Sequence, residues 1–347
     1  MKIDYIIVGL GLAGVAFAEE LIKANKSFVV FEDNSQNSSL IAGGVFNPVI
    51  LKRFTPVWNG YQQIQKAIPF YQNLEKKLQQ QFLERFSIKK VFKSIEDQNN
   101  WFTAIDKPYL SYYMNSKIST EKINGVIADF GLGELQHTGR VYTDLLIKSY
   151  RDFLKKKQQL FLEKFKYDKL KLNTQTLKYK QIEAKKIIFC EGFGIKKNPF
   201  FNYLPLNEAK GELITIYAPG LKINFLLKST VFVLPIGNYY YKVGATFNWK
   251  DKTSIPSKEG KQELIEKLKK VINVPYTIIN QVAGIRPTVK DRRPLVGVHP
   301  IHQQLIILNG LGTRGVMIAP TVAENLYNHV EKSENLDKEI DIKRFTS

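Results

Sequence analysis

Apolar residues gather into short uninterrupted runs at the start, middle and end of the chain, and alternate with polar residues in between. Ile6, Ile7 and Val8 make the first run, of the kind a fully buried parallel strand needs, and Phe28 to Phe31 repeats it. Ala13 to Lys23 reads as a helix between them, so Lys2 to Glu32 predicts a βαβ unit. From Pro56 to about Phe86, residues Tyr61, Ile64, Ile68, Tyr71, Leu74, Leu78 and Phe82 recur at helical spacing and predict one long helix with an aromatic core face. Ser87 to His137 predicts short strands and turns, Thr143 to Lys157 a helix, Leu160 to Phe165 a strand, and Lys169 to Ile182 a hairpin. Lys186 to Gly192 is a second candidate for a central parallel strand, because its apolar run stops abruptly at glycine. The pattern then turns antiparallel: Glu212 to Tyr217, Val231 to Pro235 and Tyr240 to Thr246 read as strands, followed by an amphipathic helix from Lys258 to Ile272. Strand Leu305 to Leu308, a glycine loop and helix Ala319 to Val330 end the chain. The expected class is α/β: a Rossmann-like domain with a parallel sheet from residues 1–85, 138–200 and 284–347, and a mainly antiparallel β-sheet domain from 86–137 and 201–283.

The first βαβ unit carries chemistry. Gly9, Gly11 and Gly14 stand in a GxGxxG string between the strand and the helix, and Glu32 closes the second strand. Gly9 suits the tight turn, Gly11 lets backbone approach a pyrophosphate, and Gly14 lets helix and strand pack closely. The helix N-terminus offers amides and a positive dipole end to phosphate. Glu32 can accept hydrogen bonds from a ribose diol and would repel a 2′-phosphate. These pieces imply an ADP-containing cofactor, NAD or FAD.

Composition narrows the picture a little. A chain of 347 residues with 44% hydrophobic and 24% charged residues is ordinary for a globular protein of one large or two smaller domains. One cysteine, Cys190, allows no internal disulfide and fits a reducing compartment. The chain enters a strand at once, without a leader-like segment, and its richest apolar window, Phe225 to Pro235, is short and broken by Lys228. The cytoplasm is the expected location, with no membrane partner. The formal net charge of +19 would suit a polyanion such as RNA, but nine of the 51 basic residues are arginine and the lysines are dispersed. Dispersed lysines read as a compositional habit. His299 and His302 form an H-x-x-H without accompanying Cys or acids, so no metal site is expected.

Three separated strings resemble one family, the D-amino-acid oxidase and glycine oxidase (DAO) group of FAD enzymes. They are the fingerprint with Ala42-Gly43-Gly44-Val45-Phe46-Asn47-Pro48, then Val243-Gly244-Ala245-Thr246, then Gly284-Ile285-Arg286-Pro287 with Asp291, Pro294 to Gly297 and Gly310 to Pro320. Leu311-Gly312-Thr313-Arg314-Gly315-Val316 is also similar to one branch, the FAD module of the bifunctional enzyme that makes 5-methylaminomethyl-2-thiouridine in tRNA. No methyltransferase module is expected ahead of this fingerprint. The resemblance implies FAD rather than NAD, held non-covalently by Gly9, Gly11, Leu12, Ala13, Gly14, Glu32, Asp33, Ser39, Ala42, Gly43, Gly44, Tyr167, Cys190, Gly192 and the segment Leu311, Gly312, Thr313, Arg314, Gly315, Val316 and Met317. Cys190 reads as a buried small hydrophobe, not as a covalent flavin attachment.

On the substrate side the resemblance implies Arg286, Phe232, Phe247 and Arg314. Arg286 matches the family arginine that grips a substrate carboxylate, with an ion pair to Asp291 or another acid as its structural alternative. Phe232 stands where glycine oxidases place a tyrosine, Phe247 where they place methionine, and Arg314 lies one position later in its loop. A more aromatic pocket is expected, with free glycine disfavoured. The implied reaction is oxidation of a C–N bond in a small amine or amino acid. Two alternatives stay open: oxidation of a carboxymethylaminomethyl-type side chain on a tRNA uridine, and a non-enzymatic flavoprotein or electron-transfer role.

Overall fold

Strand Lys2–Val8 is the middle of an eight-stranded sheet in the computed structural model, which describes residues 1–35 and 37–345. Phe28–Phe31 pairs parallel on one side of it and Ile182–Phe189 on the other. Leu160–Phe161 extends the sheet beyond Phe28–Phe31. Ile182–Phe189 divides its far edge: its first half pairs with the hairpin strand Leu177–Tyr179, and its second half pairs parallel with Leu305–Asn309. Side chains alternate between two layers, as the pleat requires. Ile7, Ile188, Ile306 and Leu308 join one core with helices Leu12–Lys23, Gly60–Leu78 and Gly315–Lys332. Ile6, Val8, Ile187, Phe189 and Ile307 face a second core with Phe165, Tyr179 and Phe201. Burial on both faces is why these strands read as unbroken apolar runs.

The second large sheet is also eight-stranded, in the order Thr277–Val289, Leu206–Tyr217, Tyr240–Gly244, Phe232–Pro235, Leu226–Lys228, Ile88–Val91, Leu132–Leu135 and Met114–Ser119. All its pairings are antiparallel except Leu226–Lys228 with Ile88–Val91. Helix Lys258–Leu268 covers one face through Leu264 and Leu268. The boundary read at residue 284 falls inside strand Thr277–Val289, so Arg286 sits on this second sheet. A smaller sheet joins Val45–Phe46, Gly139–Val141 and Leu83–Arg85. Among the described residues no helix is long and apolar enough to cross a membrane.

Several helices differ from the sequence reading. Ile95–Ile105 is a helix, capped by the Ser94 side chain, where Ser87 to His137 predicts only strands and turns, and the amphipathic helix ends at Leu268 rather than Ile272. The first long helix is Gly60–Leu78, not Pro56 to Phe86: Gln79 turns left-handed at φ 52°, and Leu83–Arg85 leaves to pair with Gly139–Val141. The last helix starts at Gly315, four residues before Ala319, and encloses Pro320. Proline has no N–H to give the carbonyl of Val316 one turn earlier. The buried hydroxyl of Tyr71 donates to that carbonyl instead, at 2.9 Å. Tyr71→Phe should therefore orphan a buried acceptor and cost about 1–3 kcal/mol, read as a lower denaturant midpoint at unchanged slope.

Candidate active site

The C-terminal ends of the parallel strands form a crevice. Gly9 turns there at φ 93°, and a Cβ on it would lie 2.5 Å from the Cys190 carbonyl oxygen. A Cβ on Gly14 would lie 2.1 Å from the Gly9 oxygen, so strand and helix meet in backbone contact. Gly11 is different. Its notional Cβ meets only the Ser39 hydroxyl, at 3.2 Å, and that of Gly192 meets nothing within 4 Å. The crevice is open at these two positions. Helix Leu12–Lys23 begins on it with no side-chain cap and no acid in its first turn.

Glu32 closes the crevice at the end of its strand. One carboxylate oxygen accepts from the Leu10 amide at 2.6 Å and the other from the Asn34 amide at 2.7 Å. Arg151 lies 3.6 Å from the same group, and its Nε is buried without a partner. The neighbouring Asp33 is exposed and accepts from the Ser35 amide at 2.9 Å. Ala42 ends the short helix Ser38–Ile41. Cys190 is buried beside Gly9 and Gly14, and burial pushes its thiol well above the usual range.

Sequence reasoning passed over Arg151 and Glu191. Glu191 follows Cys190 at the strand end, where the Tyr167 hydroxyl and the Asn198 amide (2.8 Å) donate to its two oxygens. Tyr167 thus touches the crevice through this carboxylate. Burial outweighs those two bonds and raises the Glu191 pKa to about 7. An acid whose folded pKa is raised holds its proton longer in the folded state, so stability falls as pH rises from about 4.5 to about 7 and levels off above. Melting curves across that window should show this slope, and Glu191→Gln should flatten it.

The loop Ala42 to Gly44 joins the crevice to the second sheet. Gly44 lies at φ 64° against the Val141 oxygen, 1.8 Å from its notional Cβ. A Cβ on Gly43 would come 3.7 Å from Leu234 and 3.8 Å from Phe232. Phe232 is opposite Gly244 in register. The Arg286 guanidinium lies over Gly211, where any side chain would overlap it. Its Nη1 donates to the Thr246 carbonyl at 3.2 Å, and the Phe247 ring packs over it at 4.2 Å. Burial lowers its pKa to about 10, which leaves it cationic at neutral pH. Asp291, the alternative partner, pairs with Arg344 at 2.9 Å. Among the described residues no carboxylate lies within ion-pair distance of Arg286.

The terminal glycine loop meets the same strand, since the Gly312 amide donates to the Pro287 carbonyl at 3.1 Å. Helix Gly315–Lys332 starts from this loop with no side-chain cap and no acid in its first turn, leaving the Gly315 and Val316 amides for a partner; the Met317 amide, expected to face the cofactor, donates to the Arg314 carbonyl at 2.9 Å instead. Leu311 is buried, Thr313 exposed and Gly315 within 3.1 Å (from its notional Cβ) of Leu12. Arg314 is the residue just before the helix, its carbonyl accepting the Met317 and Ile318 amides, and the charge that bears on it is Arg292 rather than Arg286. His299 and His302 form a turn in which the His299 Nδ1 accepts the amides of Ile301 and His302. No group of three or more His, Cys, Asp or Glu suited to a metal occurs among the described residues.

Two uncapped helix starts, the open sides of Gly11 and Gly192 and the orphaned Arg151 Nε fit an extended anionic group with a polar head at each end, as FAD is. Comparison with known proteins agrees. Glycine oxidase from Bacillus licheniformis is 27% identical over 138 residues, 38% of this chain and 37% of that enzyme. The tRNA 5-methylaminomethyl-2-thiouridine biosynthesis bifunctional protein MnmC from Aromatoleum aromaticum is 26% identical over 164 residues, 41% of this chain and 26% of that protein. The matched segments thus span about a third of these curated relatives or less. The fold of glycine oxidase from Geobacillus kaustophilus superposes with a TM-score of 0.79 at 18% identity, covering 96% of both chains. The family description "FAD dependent oxidoreductase" (DAO) matches residues 4–328, nearly the whole length, and the chain belongs to this FAD-dependent family.

Proposed function

We propose that the chain oxidises a C–N bond of a small amine or amino acid whose carboxylate is held by Arg286. The observation that carries this reading is Arg286 itself, a cation seated between Gly211 and Phe247 with no acid beside it. Guanidinium binds carboxylate through two parallel hydrogen bonds, which fixes orientation as well as position. Phe232 and Leu234, next to Gly43, supply an apolar wall that excludes water from the amine carbon. The chemistry a bound FAD supplies is acceptance of hydride from the carbon attached to the amine nitrogen. On this reading residues 1–85, 138–200 and 284–347 hold FAD, with Arg286 reaching from that last segment onto the sheet of the substrate domain (86–137 and 201–283).

A second reading rests on the loop after strand Tyr240–Gly244. Phe247 and Trp249 are 56% and 54% exposed there, beside exposed Lys250, a combination that suits stacking of nucleobases. The substrate would then be a carboxymethylaminomethyl-type side chain of a tRNA uridine. The small amine is favoured because many lysines are paired with acids at scattered sites, such as Lys77 with Glu19, Lys180 with Glu163 and Lys267 with Glu263. Anaerobic mixing with a panel of amino acids, secondary amines and hypomodified tRNA decides between them by bleaching of the flavin absorbance. Bleaching by tRNA alone, with affinity falling as salt rises at a log–log slope of about −0.7 to −0.9 per phosphate, would replace the small-amine reading. Bleaching by neither would point to an electron-transfer partner.

A further inference from the structure

Lys228 interrupts the apolar run from Phe225 to Pro235 and ends the strand Leu226–Lys228. Strand Leu226–Lys228 lies between Phe232–Pro235 and Ile88–Val91. Lys228 is directly opposite Phe232 on one side and Lys90 on the other. Directly opposed residues share a face of the sheet. Leu226 and Leu234 on that face pack into the core with the fingerprint helix, whereas Leu227 and Val233 pack into the cluster under helix Lys258–Leu268. Lys228 is therefore on the side where Phe232 meets Gly43, the side on which Arg286 lies over Gly211.

The two lysines differ in their partners. Lys90 donates to Asp97 at 2.7 Å and to the Val91 carbonyl at 2.6 Å. Among the described residues Lys228 has neither a carboxylate within ion-pair distance nor a side-chain hydrogen bond, and only other lysines bear on it. A largely buried cation without a counter-ion is costly to keep. Burial, with Lys90, Lys267 and Lys93 nearby, brings its pKa down to about 8, so it is still mostly charged at neutral pH. The strand bearing Gly211 and the strand bearing Lys228 are three steps apart, which is about 14 Å at the usual spacing. Both cations stand on the same face of the sheet, with Phe232 and Gly244 between them in register.

We propose that Lys228 is a second anion anchor of the substrate pocket, so that the preferred substrate is an amino acid with two carboxylates, one on Arg286 and one on Lys228. This rests on the amine-oxidation reading and names its substrate class. It makes Lys228 a specificity residue that acts on binding and leaves the bond-breaking step alone.

The test compares ligands that cannot react. The purified FAD-loaded protein is titrated with acetate, butyrate, succinate, glutarate and adipate, by calorimetry and by perturbation of the flavin spectrum. At least one dicarboxylate should bind tenfold or more tighter than the monocarboxylates, since a charge-assisted bond to lysine is added. Lys228→Met should erase that advantage while leaving acetate binding unchanged, and Lys228→Arg should keep it. With amino acids, Lys228→Met should raise KM tenfold or more for acidic side chains, at unchanged kcat, and leave neutral ones alone. Equal binding of mono- and dicarboxylates by the unaltered protein, which needs no variant to fold, would overturn the proposal. So would a Lys228→Met effect of the same size on acetate and glutarate. Because binding is read without turnover, bleaching by amines without a dicarboxylate preference sinks the second anchor. A dicarboxylate preference with no bleaching by any amine sinks the oxidase reading instead.

Discussion

Replacing Arg286 by methionine is expected to lower kcat/KM for a carboxylate-bearing amine by about a hundredfold or more. Each hydrogen bond between charged groups contributes roughly 1.5–3 kcal/mol, and the guanidinium can offer two to one carboxylate. Together they amount to about 3–6 kcal/mol, at 1.4 kcal/mol per factor of ten in rate. Most of the loss should appear in KM if the carboxylate is gripped equally in ground and transition states, and in kcat if the grip aligns the C–H bond. Stability should fall by no more than about 1–3 kcal/mol, from losing the bond to the Thr246 carbonyl. The methionine stem can still pack under Phe247, and Arg286 has no acid partner in the described structure whose charge would be left exposed. Arg286→Lys should fall between the two, because lysine keeps the charge but not the two-pronged geometry. The control is an amine without a carboxylate, for which Arg286→Met should act within a few-fold of the unaltered enzyme. An equal loss for both substrates, or a large drop in melting temperature, would show that the arginine only supports the fold.

Much of the frame could be read from periodicity because the frame is periodic. Strand Lys2–Val8, helix Leu12–Lys23 and strand Phe28–Phe31 follow the reading almost residue for residue, as does helix Thr143–Lys156. The last helix starts four residues before Ala319 and runs through Pro320, a position made tolerable by the Tyr71 hydroxyl, which is remote in sequence and satisfies the carbonyl that proline leaves free. Arg286 and Phe247 were legible as separate candidates, but not the stacking of one on the other, which depends on strands that pair through Leu206–Tyr217. Glu191 and Arg151 gave no signal. A lone acid after a cysteine and a lone arginine on an amphipathic helix look like surface residues until the sheet closes around them. Lys228 was visible only as a break in an apolar run. Its partner Lys90 is remote in sequence, and no local pattern could announce that pairing.

The fingerprint glycines offer the other large effect, and they should not behave alike. A side chain on Gly14 would collide with the Gly9 oxygen, and one on Gly44 with the Val141 oxygen, so substitution there attacks the fold. Gly11 sits at φ −81° and ψ −164°, a conformation valine accepts readily, and its added Cβ would meet only the end of the Ser39 side chain. Gly11→Val should therefore fold, with stability within about 1 kcal/mol of the unaltered apoprotein. Its two methyl groups would then stand in the open space before the uncapped amides of helix Leu12–Lys23, where the pyrophosphate is expected. The purified variant should be colourless, while the unaltered protein should be yellow and release its flavin in acid. Added FAD at a hundred times its dissociation constant should stabilise the unaltered protein by about 2.7 kcal/mol and leave Gly11→Val where it was. Gly44→Ala serves as the opposite control, failing to fold whether or not FAD is present. A yellow Gly11→Val protein with an undiminished FAD-dependent rise in melting temperature would move the phosphate site away from this turn, and with it the whole orientation of the cofactor over the second sheet.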